Sequence, residues 1–76
     1  MIRRYKTVRR ILWRADIDSE CKLILITLIN GGATADTLAT LTGLSVRTVY
    51  YRIDLLKKNK LISKDYGGFY INFDKI

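Results

Sequence analysis

The chain contains no histidine, no proline and one cysteine. Without histidine, and with Cys21 alone, neither a structural zinc set nor a His-based nucleophilic triad can be assembled. A lone cysteine forms no internal disulfide, so stability must come from packing or self-association. Cys21 sits in an apolar run and reads as a buried thiol, not a reactive one. Acidic residues are few, seven Asp and Glu in 76 residues, and scattered. No nucleophile stands beside a base, and Gly67-Gly68 has hairpin spacing instead of a phosphate-loop pattern, which argues against an enzyme. Long apolar runs are missing as well. Leu23 to Ile29 spans seven residues, too short to cross a bilayer, and no stretch of signal-peptide length follows Arg3, Arg4 and Lys6. The expectation is a cytoplasmic protein in a reducing compartment, with no metal, cofactor or small-molecule ligand implied.

What is present is positive charge. Fourteen Lys and Arg against seven acids leave +7. Such an excess predicts attraction to a polyanion, either nucleic acid or an anionic membrane surface. With 49 % apolar and 28 % charged residues the composition is globular, and a chain of this size holds one core, so residues 1–76 form a single domain.

Along residues 2–13, Ile2, Tyr5, Val8 and Ile11–Leu12 recur every three to four positions on an otherwise basic background, predicting an amphipathic helix. Its stripe could dock on the domain, pair with its copy in a dimer, or lie on a membrane; the rest of the chain argues against the membrane. Asp16, Asp18 and Ser19 then interrupt the pattern as N-cap candidates. A second helix follows from Ser19 to Ile29, with Leu23, Ile24, Ile26, Leu28 and Ile29 inward, and Asn30-Gly31-Gly32 stops it. Thr34 is positioned to cap a short helix over Ala35–Thr42, with Leu38, Ala39 and Leu41 on its inner side. Gly43-Leu44 make a turn and Ser45 caps a fourth helix, Val46–Lys58, whose Val49, Ile53 and Leu56 form one core-facing stripe. Asn59 is the expected left-handed C-cap.

From Leu61 the period changes to two. Leu61–Tyr66 and Phe69–Phe73 flank Gly67-Gly68, predicting a hairpin over 61–73 in which Tyr66 pairs with Phe69, Lys64 with Ile71 and Ile62 with Phe73. Ser63 would then lie opposite Asn72, and Ile62, Ile71 and Phe73 would cover the helices.

The stretch Thr34 to Leu56 has a mechanical logic. Ala39 allows two helices to cross closely, Gly43 turns sharply, Leu44 fills the space under the turn, and Val49 locks the second helix on the first. Two helices so joined form a helix-turn-helix over 35–58, inside a helical core of 19–60. The order short helix, glycine turn, L-S-V-R-T-V, then a Leu-Ile and a glycine-tipped hairpin resembles the winged helix-turn-helix family over residues 19–73. The resemblance implies an α+β, mostly α, winged helix-turn-helix with an extra N-terminal basic helix and a two-stranded wing. It also implies a sequence-specific regulator of transcription that binds double-stranded DNA, similar to compact plasmid, pilus or viral regulators. The branch that binds left-handed DNA does not fit, because Tyr50 and Asp54 stand where it needs Asn and Tyr, and Trp13 lies far from the wing.

With Val49 at the centre of the buried stripe, about 100° per residue places Arg47, Tyr51, Asp54 and Lys58 near the opposite pole, with Tyr50 beside them. An α-helix fits the major groove and its N-terminal residues reach base edges. Arg47 is thus the first candidate for a base or phosphate contact, with Ser45, Val46, Thr48, Tyr50 and Tyr51 around it. The bland alternatives are a solvated Arg47 and tyrosines packed on the wing or a neighbouring helix. Asp54 either accepts from cytosine or pairs with Lys58, the second being favoured. Lys58 belongs to a helix-end cluster suited to the dipole, Lys64 is a phosphate candidate by resemblance, and Arg3 and Arg4 lead the basic N-terminal set. An extra terminal helix often builds a dimer in the family, so a homodimer is expected in which residues 2–13, with Trp13, could meet the partner by one face and phosphates by the other; Leu55 could join the dimer contact or simply pack against this helix. The competing functions are a protein-interaction adaptor and an RNA-binding or replication accessory protein of a mobile element.

Overall fold

The computed structural model describes residues 2–76, with side chains from Tyr5 onward. Four helices, α1 (Ile2–Trp13), α2 (Ser19–Thr27), α3 (Ala35–Thr42) and α4 (Val46–Lys58), precede an antiparallel hairpin of β1 (Ile62–Asp65) and β2 (Gly68–Ile71). The α+β, mostly helical order is compatible with winged-helix architecture. No helix among the described residues is long and apolar enough to cross a membrane.

The helix starts follow side-chain chemistry. Asp18, Thr34 and Ser45, all in extended backbone, accept hydrogen bonds from the amides of Cys21, Thr37 and Thr48, satisfying donors that a helix start leaves unpaired. α2 is the central element, packed against α1, α3 and α4, and it buries Ile24 and Leu25 completely. It ends earlier than expected, tightening into a 3₁₀ turn at Leu28–Asn30 that still buries Leu28 and Ile29. Leu23 is 40 % exposed instead of inward, and Leu25, unassigned from the sequence, takes the core position because α2 is covered on several sides. Leu41, expected inward, is 65 % exposed, since Ala35 and Leu38 fill the α3 side of the core with Ala39 packed against it.

The stripe on α1 divides. Ile11 is buried, Val8 packs on the core and Thr7 is buried beside them, whereas Tyr5 and Leu12 point outward. At about 100° per residue Tyr5 and Leu12 lie within about 20° of each other, while Ile11 lies about 120° away. One helix therefore presents two apolar arcs.

Gly43 takes the left-handed conformation (φ 78°) that closes α3, and its amide bonds the Ala39 carbonyl. At the end of α4 the left-handed residue is Lys60 (φ 62°), not Asn59 (φ −88°). The amide of Leu61 donates to the Leu56 carbonyl and that of Lys60 to Lys57, a Schellman closure that buries Leu61 against Leu56. The apolar contact after the turn thus places the left-handed residue one position later.

The hairpin register differs from expectation by two residues. Ile62 pairs with Ile71, Lys64 with Phe69 and Asp65 with Gly68, so Tyr66-Gly67 form the loop and Phe73 lies in a C-terminal 3₁₀ turn, Phe73–Lys75. A two-residue shift preserves the faces, and Ile62 and Ile71 still cover the helices. The cause is Ala33, which exchanges both backbone hydrogen bonds with Phe69 across the free edge of β2. Gly68 (φ 122°) permits that approach: a Cβ there would come within 2.6 Å of the Ala33 carbonyl carbon. Ser63, with Tyr70 as its ladder partner, meets Asn72 through side chains, and Asn72 Nδ2 also donates to the Lys60 carbonyl, tying the C-terminus to the end of α4.

Candidate nucleic-acid interface

The turn after α3 sets α4 across it, and the stripe Val49–Ile53–Leu56 anchors α4 by one face. The first turns of α4 are thereby turned outward. Val46 is 40 % exposed, Arg47 exposed, Tyr50 52 % and Tyr51 60 % exposed. Ser45 and Thr48 lie at the same end but are committed to the cap: Ser45 Oγ accepts from the Thr48 amide at 3.1 Å and donates to Thr48 Oγ1 at 3.0 Å. Their spare lone pairs can accept a donor from a partner. No ion pair among the described residues engages Arg47.

Six of the sequence-derived candidates, Ser45, Val46, Arg47, Thr48, Tyr50 and Tyr51, are therefore grouped at one helix end. Lys58 is not with them. It lies about 16 Å along the axis from Arg47 at about 1.5 Å per residue. Lys64, on β1, sits 5.7 Å from the Phe69 ring centroid and lines a groove with Lys57 and Lys60. The side chains of Arg3 and Arg4 lie outside the described set. The expected Asp54–Lys58 pair is not formed; on this exposed face water competes for both charges and the pair gains little. Leu55 is half-buried and lines a hollow with Ile17 and Asn59, under the loop between α1 and α2.

Arg52 is the residue sequence reasoning missed. It binds Asp18 at 2.7 Å and Glu20 at 2.9 Å, and its guanidinium lies 5.1 Å from the Tyr51 ring centroid. The hydrogen bond to Glu20 raises its pKa above the ordinary arginine value. Asp18 is held below the usual carboxylate range, first by the Cys21 amide and more weakly by Arg52. One signal was legible: Arg52 sits only about 60° from Val49 at the buried centre of α4, about 120° off its solvent pole. Arg52 thus ties α4 to the start of α2 and orients Tyr51, leaving Arg47 as the outward guanidinium of this helix. Burial pushes the Cys21 thiol up to about 11, so it stays protonated at neutral pH. Compared with known proteins, the chain matches no family model, no curated protein and no solved structure.

Proposed function

We propose that this protein is a winged helix-turn-helix regulator that binds double-stranded DNA in a sequence-specific way. In this reading α4 enters the major groove, Arg47 reads a base or clamps a phosphate, and the tyrosines flank it. The observation that carries the reading is the division of labour on α4: Arg52 is spent on Asp18 and Glu20, while Arg47 is exposed beside a capped, rigid helix start. The net charge of +7 supplies attraction to the backbone. The mechanism is steric, occupancy of an operator that blocks or recruits polymerase. A homodimer built on the outer arc of α1, where Tyr5 is 65 % and Leu12 51 % exposed, would present two recognition helices.

Selection of bound duplexes from a random pool, followed by anisotropy on the selected site, tests this. Arg47→Ala is expected to cost about 1–3 kcal/mol on the selected site and much less on random duplex. Equal losses on both, or no enrichment in the pool, would refute sequence reading. A second reading, a protein-interaction adaptor, is favoured by the exposed apolar surface of Leu41, Val46, Tyr50 and Tyr51. It predicts weak duplex binding and a function that survives Arg47→Ala.

A further inference from the structure

Half of the chain's fourteen cations lie away from the α4 N-terminus, along three concave surfaces that run into one another. The first follows α1 and is lined by Lys6, Arg9, Arg10 and Trp13. The second shares Lys6 and Arg10 with it and crosses to Asn72, Phe73 and Asp74 of the C-terminal segment. Asn72 and Asp74 carry it into the third, where Lys57, Lys60, Lys64 and Lys75 surround Ser63. Asp74 is the one carboxylate among these lining residues, against seven cations, and no ion pair among the described residues engages any of the seven. None of residues 45–51 lines the path.

Two exposed aromatic rings stand in this path, Trp13 (81 % exposed) and Phe73 (40 %). A ring on a cationic groove is poorly used by a duplex, whose bases are stacked inward. It suits a single strand, whose bases lie free to stack on aromatic faces while the phosphates follow the cations. The floor is fixed: Asn72 is bonded to Ser63 and to the Lys60 carbonyl, and Lys60 is held by the Schellman closure of α4.

We propose that the path from Trp13 through Phe73 to Lys57 and Lys75 is a binding channel for single-stranded nucleic acid, separate from the duplex-reading end of α4. The protein would then hold a duplex site and an unpaired strand at once, as at a melted or replicating segment.

Trp13 is the only tryptophan, so its emission reports the channel directly. The full chain is titrated at low salt with an oligothymidine of about twelve nucleotides, within the site sizes of single-strand grooves. The expected result is saturable quenching of Trp13. By anisotropy of the labelled strand, Trp13→Ala should weaken binding about tenfold. Lys57→Glu and Lys75→Glu should each weaken it about threefold or more, whereas Arg47→Glu, the same change of charge outside the channel, should leave it unchanged. Lys75→Glu lies in the C-terminal turn and keeps the test open if Lys57→Glu disturbs α4. Absence of quenching would overturn the proposal. So would an Arg47→Glu loss equal to the lysine variants, full competition by an equimolar duplex, or quenching by phosphatidylserine vesicles without quenching by the strand.

Discussion

Asp18 caps α2 through one oxygen while the other takes Arg52 from α4, so a single carboxylate ties the start of α2 to α4. Its pKa lies below the usual range, and so does that of Asp16, chiefly through its hydrogen bond from Arg14. A carboxylate with a depressed folded pKa contributes stability above its unfolded value of about 3.9, and that contribution is lost as pH falls through the folded value. Thermal melts should therefore drop between about pH 5 and pH 2. Asp18→Asn keeps a capping oxygen but removes the charge, so its melting temperature should fall less steeply with acid than that of the parent. Parallel acid slopes for the two proteins, followed by circular dichroism, would show that Asp18 is not the linked group. Legibility also varies residue by residue. Asp18 as a cap candidate could be read locally, but its pairing with Arg52 could not, because the two meet only after α2 and α4 pack.

Helix boundaries were the most readable elements. α1 covers the span its apolar period marks and α4 starts at its Ser45 cap, because these signals act within about one helical turn. The hairpin was readable as a hairpin but not in register. Gly67-Gly68 looked like the loop from local rules, yet Gly68 serves the contact with Ala33. Two glycine variants separate these roles. Gly68→Ala should destabilise the domain by about 1–3 kcal/mol, through strained backbone and collision with Ala33. Gly67→Ala should stay within about 0.5 kcal/mol, since its Cβ would meet only Asp65 Oδ1, at 3.5 Å. Urea denaturation of the pair checks it, and comparable losses would return the loop to Gly67-Gly68.

Over the whole molecule the cations fall into separate territories, Arg47 at one end of α4 and the groove from α1 to Lys57 and Lys75 elsewhere. The outer arc of α1 adds an apolar strip, Tyr5 and Leu12, beside that groove. For the proposed dimer, sedimentation velocity should show an association that strengthens with concentration and is abolished by Leu12→Glu without loss of the fold. A wild-type protein that sediments as a monomer at all concentrations would remove the dimer.

Composition, caps and periodicity were enough to specify four helices, a hairpin, one core and a basic surface, since each depends on neighbours in sequence or on simple counts. Packing of distant segments settled the rest: which α1 residues face water, the use of Arg52 as an internal tie, the left-handed turn at Lys60, the strand register, and the joining of α1 cations to those of the C-terminus. These are contacts between segments far apart in the chain. No local rule encodes them, because their energies arise only when the core excludes water and the backbone of one element meets that of another.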